Sequence, residues 1–157
     1  MRKKGQAAME FLMTYGWAIL AAIIVIGVLA VYFRPSTLTT SNTIVTAPFY
    51  ANAWNVDASD GGINLELQNN AGEDVTVTSI TITGTGGANG RDCQWTGALV
   101  VSDVLQAFLI DQDVGAGSCA GFTAGEGYAG DITITYTKGG GSTALTSTGT
   151  ISDTVIA

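Results

Sequence analysis

The chain is 157 residues long, enough for one domain and one long helix, and its formal net charge is −7. After Pro35 the only basic residues are Arg91 and Lys138, and this acidic balance argues against nucleic acid and anionic lipid surfaces as partners. The chain contains no histidine, which excludes Ser/His/Asp and Cys/His nucleophilic sites and the usual catalytic zinc sites. We therefore expect a protein that is not an enzyme and that holds no metal and no cofactor.

The first 35 residues of the chain, Met1 to Pro35, predict a membrane-spanning helix. The basic residues Arg2, Lys3 and Lys4 come first, and the run from Phe11 to Phe33 holds no charged residue and no proline. Such a run is long enough to cross a bilayer core, which needs about 20 apolar residues, and the basic flank keeps the N-terminus in the cytoplasm. A removable secretory signal fits less well, because its apolar core is only about 7 to 15 residues long. A simple signal anchor fits the length and the flank equally well.

Glu10 is an unusual residue for the cytoplasmic end of such a helix. A carboxylate costs about 2.5 to 3.5 kcal/mol on membrane-insertion scales, so it requires a partner if it stays in apolar surroundings. An acidic side chain near a helix end can instead extend to the lipid headgroups and have no further role. The residues alone leave both interpretations open.

Small residues recur along the helix at spacings that suit helix packing. Ala18 and Ala22 are four residues apart, and Gly16 and Gly27 are about three turns apart, so the members of each pair share a helix face. Small side chains on a shared face let two backbones approach closely, which favours packing against copies of the same helix. Glycine and alanine are also common in any single span, and this interpretation is equally consistent with the pattern.

The stretch Lys3–Leu12, with the sequence Lys-Lys-Gly-Gln-Ala-Ala-Met-Glu-Phe-Leu, resembles the class III signal of archaeal type IV pilins. The resemblance implies that a prepilin peptidase cuts after Gly5, so that Gln6 becomes the first residue and Glu10 the fifth, as in that family. The third position, often serine in the family, is Ala8 here. Removal of residues 1–5 takes away three cations and changes the formal net charge from −7 to −10.

This resemblance implies a function and a set of partners. The chain would be a structural subunit of an extracellular filament, held in the membrane before assembly with its C-terminal domain outside. The new amine of Gln6 would pair with Glu10 of a neighbouring copy, which would satisfy a carboxylate in apolar surroundings. The implied partners are other copies of the chain, the prepilin peptidase, a cytoplasmic assembly ATPase and a membrane platform protein. The alternative is a membrane-anchored minor pilin, adhesin or solute-binding module that does not form the filament body.

The part of the chain after the helix predicts an external domain of β-strands. Residues 36–46 are rich in serine and threonine and predict a linker, and residues 47–157 predict the domain itself. Ile44–Tyr50 is at best an edge strand, because Pro48 has no N–H group to donate to a neighbouring strand. Asp57–Gly62 predicts a solvated turn, because it lacks the alternating ligands and the closing glutamate of a calcium loop.

Alternation of apolar and polar residues predicts several strands in this domain. Ile63–Leu67 and Ile132–Tyr136 alternate strictly, and a last strand follows near Leu145–Ile151. The strand Asp74–Thr83 changes parity along its length, so it needs a bulge near Ser79 to keep its apolar side chains on one face.

The remaining segments complete the prediction of the fold. Ala98–Ile110 fits a helix template but also two short strands, and its surroundings favour strands. Gly84–Gly90 and Gly115–Gly130 predict glycine-rich loops. The fold class is therefore α+β, with a long apolar helix followed by an immunoglobulin-like sandwich of about seven strands. The segment Leu65–Ile80 also resembles the first strands of β-rich heads in archaeal pilin-like proteins.

Cys93 and Cys119 both lie in the predicted external domain. A pair of cysteines in an exported domain is most simply a disulfide. A redox motif needs closer spacing and a zinc site needs more ligands. We therefore predict a Cys93–Cys119 bond.

Overall fold

The computed structural model of this chain describes residues 3–32, 40–88, 90–114 and 119–157. The chain divides into two compact units, residues 1–35 and 36–157, and we describe each by itself. In the first unit, Lys3–Tyr32 form a helix, α1. The start of the basic leader, the predicted linker up to residue 39 and residues 115–118 of the second glycine-rich loop lie outside the described residues.

The described part of the second unit consists mainly of strands in two sheets. The strands are β1 (Asn42–Val45), β2 (Phe49–Asp57), β3 (Gly62–Asn69), β4 (Val75–Gly84), β5 (Cys93–Val101), β6 (Gln106–Ile110), β7 (Gln112–Asp113), β8 (Gly127–Lys138) and β9 (Leu145–Thr154). One sheet has six strands in the order β1-β9-β8-β4-β5-β7, and the other has three in the order β2-β3-β6. Neighbouring strands in both sheets are antiparallel. An apolar N-terminal helix followed by a domain of two antiparallel sheets confirms the α+β prediction.

One apolar core contains buried side chains from both sheets. Phe49 of β2 meets Tyr136 of β8 edge to face, with ring centroids 5.0 Å apart. Trp95 of β5 meets Phe108 of β6 in the same way at 4.9 Å. Each pair joins one sheet to the other and stabilises the fold by about 0.5–1.5 kcal/mol beyond the area it buries. The space between these pairs is filled by aliphatic side chains: Val56, Ile63, Leu65, Leu67, Val75, Val77, Ile80, Ile82, Ile110, Ile132, Ile134 and Ile151.

The predicted bulge near Ser79 is confirmed. The register of β4 with both of its neighbours, β5 and β8, shifts between Val77 and Ser79. The extra residue lets Val77 and Ile80 both point into the core, although they have opposite parity in the sequence.

Two predictions made from ambiguous or glycine-rich segments have different outcomes. Ala98–Ile110 holds the end of β5 and the whole of β6, so the strand prediction is confirmed and the helical alternative is wrong. The loop predicted to extend to Gly130 ends earlier, because β8 begins at Gly127. Gly130 is buried in the sheet, where a Cβ atom would lie 2.9 Å from Ile82 Cγ2. This glycine therefore permits close packing inside a strand and does not mark a turn.

β1 lies inside the segment predicted as a linker, and this part of the prediction is wrong. Asn42–Val45 pairs with β9 and forms one edge of the six-stranded sheet. A Cβ atom at Gly149 of β9 would clash with the carbonyl oxygen of Ile44, so this glycine lets β1 lie close. The buried Ser147 hydroxyl donates a hydrogen bond of 2.6 Å to the carbonyl oxygen of Thr46, 101 residues away in the sequence. The described part of this segment, residues 40–46, is therefore held by a distant strand.

Asn69 fastens the β3–β4 turn to the end of β5. Its side chain is only 5% exposed. Nδ2 donates to the carbonyl oxygens of Glu73 at 2.7 Å and Val101 at 2.9 Å, and Oδ1 accepts from the N–H of Ala71 at 2.8 Å. All three partners are backbone groups, so one side chain joins the turn to the end of β5.

We expect Asn69→Ala to lower the free energy of unfolding by about 2–4 kcal/mol, because it removes three hydrogen bonds and leaves buried backbone groups unpaired. Urea unfolding of the full chain in detergent, followed by tryptophan fluorescence, measures the change. The matched control is Asn70→Ala, since Asn70 is the exposed neighbour of Asn69. Equal losses for the two variants would contradict the role given to Asn69.

The predicted disulfide is confirmed. Cys93 at the start of β5 is bonded to Cys119, with their Cα atoms 4.6 Å apart. Both cysteines are buried. The N–H of Cys119 also donates to Oδ1 of Asp113 at 2.5 Å, which holds this segment beside β7. The disulfide and this hydrogen bond together hold Cys119 beside β5 and β7.

Loss of this disulfide should lower the free energy of unfolding by about 3–4 kcal/mol, because it releases a closed loop in the unfolded chain. The comparison is chemical unfolding of the full chain with and without a thiol reductant that acts on the unfolded protein. The Cys93→Ser/Cys119→Ser double variant should unfold like the reduced protein and should not respond to reductant. A reductant effect that persists in the double variant would assign the loss to another cause.

Candidate functional site: the surface of the N-terminal helix

The described side chains of α1 are apolar on all sides and lack contacts that would bury them. Its large apolar side chains that the structure describes between Met9 and Leu29 are 46% to 84% exposed. The segment Met13–Ala30 is long and apolar enough to cross a membrane, and a signal sequence near the N-terminus would have the same length and composition. A helix that is apolar all round is stable only inside lipid or against other apolar surfaces. This surface is therefore the strongest functional feature of the first unit.

Glu10 is the single acidic residue of α1 and is exposed. Its carboxylate belongs to neither of the two ion pairs found among the described residues. Its backbone carbonyl accepts a hydrogen bond of 2.8 Å from the Thr14 hydroxyl. Gln6, the predicted first residue of the processed chain, lies in the same helix one turn before Glu10. Residues four apart share a helix face, so Glu10 and the predicted amine lie on one side of α1.

The four residues predicted for helix packing form two lines on different sides of α1. At about 100° per residue, Gly16 and Gly27 differ by about 20° around the axis, and Ala18 and Ala22 differ by about 40°. The centres of the two lines are about 150° apart by the same geometry. A Cβ atom at either glycine would meet nothing within 4 Å, so no contact in the described chain requires a glycine there. The helix therefore offers two sides for close approach of a neighbour.

The structure does not bring Glu10 onto either line of small residues. By the same geometry Glu10 lies about 100° or more from the centre of each line. The predicted pairing site and the predicted packing sites are thus separate sides of one helix. A single helix can use all three only if it has several neighbours.

In the second unit, the Asp57–Gly62 segment forms a turn closed by its own residues. Oδ1 of Asp57 accepts hydrogen bonds of 2.7 Å from both the N–H and the hydroxyl of Ser59. These two bonds hold the pKa of the Asp57 carboxyl below its ordinary value. Across the described residues, no cluster of three or more His, Cys, Asp or Glu side chains is arranged to hold a metal ion.

Both basic residues of the second unit are paired with acids, which the sequence did not indicate. Arg91 Nη2 lies 3.1 Å from the carboxylate oxygen Oε2 of Glu126. Lys138 Nζ lies 3.5 Å from the carboxylate oxygen Oε1 of Glu73. Each pair joins residues that are distant in the sequence, so no local pattern reveals it. The second unit therefore presents acidic charge with its two cations already engaged.

The helix surface, Glu10 and the two lines of small residues are the candidate functional features of this chain. Each of these features consists of residues of α1 alone. No protein-family model, curated protein or solved structure was found to match this chain, so its function has to be inferred from its own residues.

Proposed function

We propose that this protein is a type IV pilin-like structural subunit that assembles through α1 into an extracellular filament. The observation that carries the proposal is the exposed apolar surface of α1, beside a second unit that has a complete core of its own. The second unit needs no help from the helix to bury its apolar side chains. The helix is therefore free to pack against copies of itself.

The length of α1 is consistent with a helix that spans the membrane before assembly. From Glu10 to Tyr32 the helix rises about 33 Å, close to the roughly 30 Å thickness of a bilayer core. A span placed in this way puts Glu10 at the edge of the hydrocarbon. The carboxylate is tolerated there, but it becomes costly once helices pack together and exclude the headgroups and water.

Cleavage after Gly5 supplies the missing partner. It removes the three cations that hold the N-terminus in the cytoplasm, and it leaves a charged amine on Gln6. In a bundle of helices, this amine pairs with Glu10 of a neighbour and so offsets the cost of taking both charges out of water. The two lines of small residues let other neighbours approach on the remaining sides of α1.

The head of the subunit is the second unit, which faces the medium in this proposal. Its acidic surface and its buried disulfide suit an exported domain. The two antiparallel sheets with a common core support an immunoglobulin-like sandwich, which stays a prediction from the sequence.

A second candidate function is a membrane-anchored binding module that does not polymerise. The observation that favours it is a shallow groove of about 230 Å³ on the three-stranded sheet, lined partly by Asn55, Asn64 and Glu66. Oδ1 of Asn55 is buried there without a hydrogen-bond partner in the described residues. The two candidates differ in copy number, because a filament subunit is abundant in surface fibres and an anchored module is not.

Protein extracted from the cell surface should begin at Gln6. Intact-mass measurement tests this, and the expected mass lacks residues 1–5. Gly5→Leu should block the cut because the small residue before the cut site is lost, and the uncut protein should stay in the membrane. Finding Met1 or Arg2 on protein taken from filaments would contradict the proposal.

Glu10→Ala should abolish filaments while membrane-bound protein is retained. The substitution leaves the neighbouring amine without its partner, a loss of about 3–5 kcal/mol at each junction by analogy with buried ion pairs. Insertion should not suffer, since alanine is better tolerated in lipid than glutamate. Filament yield and membrane-bound monomer are measured in the same cells. Glu66→Ala, which removes an acid from the head, is the matched control and should assemble normally; normal filaments from Glu10→Ala would refute the pairing.

A further inference from the structure

The outer side of the six-stranded sheet is covered by threonine. Along β8, the buried side chains of Ile132, Ile134 and Tyr136 alternate with threonines that point away from the core. The neighbouring strands β9 and β4 show the same alternation, interrupted in β4 only by the bulge. We call this surface the threonine face: Thr76, Thr81, Thr83, Thr133, Thr135, Thr137, Thr146, Thr148 and Thr150.

The threonines of this face lie opposite one another across the strands. Thr133 of β8 pairs with Thr81 of β4 on one side and with Thr148 of β9 on the other. Thr135 and Thr146 form the next pair along the same strands. Thr133 and Thr148 are both exposed, and their hydroxyls make no hydrogen bond in the described residues. The face thus presents hydroxyl groups that are available to a partner.

The threonine face is almost free of charge. Its one charged side chain is Asp131, at one end between Thr83 and Thr150. The β-propensity of threonine accounts for its presence in strands, but typical soluble surfaces carry about 25–35% charged residues. Depletion of charge in the middle of a patch is instead characteristic of the core of a protein interface.

Two exposed apolar side chains extend the face at opposite corners. Ile44 of β1 lies opposite Thr150 and is 60% exposed, and Val100 of β5 lies opposite Thr76 and is 56% exposed. A groove of about 480 Å³ runs beside Ile44 along β9 and β8. An uncharged centre with apolar corners favours burial against another protein surface.

We propose that the threonine face is the contact between the heads of two copies of this chain. Processed subunits carry a net charge of −10 on the proposed cleavage, so their heads repel unless an uncharged surface lies between them. The threonine face is such a surface, because its centre holds no charged side chain and Asp131 lies at one end. The proposal rests on the proposed function in one respect, which is that α1 brings the heads together.

The size of the face predicts a weak contact. Three strands at about 4.8 Å spacing and four outward positions at about 6.7 Å spacing cover roughly 350 Å², against about 800 Å² per partner in a stable complex. Separate heads should therefore stay monomeric, and the contact should form when the helices hold the heads at millimolar effective concentration.

The test is cross-linking of the full chain in phosphatidylcholine vesicles at high and low protein density. Single variants Thr133→Cys and Thr148→Cys place a thiol on the face, and Leu109→Cys places one on the outer side of the three-stranded sheet as a control, since Leu109 is 40% exposed. The native cysteines are buried in their disulfide and do not react. A bis-maleimide about 15 Å long spans the width of three strands. At high density we expect at least about fivefold more dimer from the threonine positions than from Leu109→Cys, because only the former lie in the contact.

A charge placed on the face provides the second arm. Adding Thr148→Glu to Thr133→Cys should reduce the cross-linked dimer by about tenfold, because like charges would then face each other. Adding Leu109→Asp to Thr133→Cys should leave the yield unchanged, and thermal unfolding of each variant confirms that the head is folded.

Equal yields from all three cysteine positions would overturn the proposal. So would native protein whose mass places sugars on these threonines, because attached sugars would hold the faces apart. Cross-linking at the threonine positions without filaments in cells would leave the head contact intact and remove the filament function. Filaments in cells without preferential cross-linking at the threonine positions would remove the head contact and leave the filament function intact.

Discussion

The apolar surface of α1 has to be kept out of water, and this requirement governs what the chain can be. The helix presents apolar side chains on every side, so a single partner groove would cover only part of it. Lipid covers all of it at once, and so does a ring of neighbouring helices. A chain that moves from the first environment to the second changes its solvent without refolding. In the proposed transfer from lipid to a filament, the Glu10 carboxylate would be the acidic group of α1 that loses water.

The second unit is built so that its stability does not depend on the helix. Two edge-to-face aromatic pairs join its sheets, Asn69 closes the turn between β3 and β4, and the disulfide holds the segment after β7. Because these elements stabilise the head from within, the charge on its surface can differ from one side to another. Its charges lie mostly at the ends of strands and in turns, and the threonine face carries one charged side chain, Asp131, at its end. The charged turns and strand ends keep the head soluble, and the threonine face is left for the proposed contact between heads.

Local patterns in the sequence were sufficient for features that depend on neighbouring residues. The period of two located β3 and β8, and the change of parity in β4 located the bulge at Ser79. Features that depend on distant partners were not accessible in this way. β1 exists because it pairs with β9 about 100 residues later, β8 starts early because Gly130 packs on Ile82, and Asn69 matters because it reaches Val101. On α1, the same spacing at about 100° per residue also separates Glu10 and the predicted packing residues onto different sides of the helix.

The pairing of β1 with β9 also decides how the head responds to mechanical tension. Any pull transmitted along the chain from α1 enters the head at β1, its first strand. β1 is held to β9 along four residue pairs, and the Ser152 hydroxyl adds a 2.6 Å hydrogen bond to the carbonyl oxygen of Thr40 just before the strand. The load therefore passes through these hydrogen bonds into β9 and then β8, two of the longest strands of the six-stranded sheet. A fibre built from such subunits would resist stretching through its larger sheet.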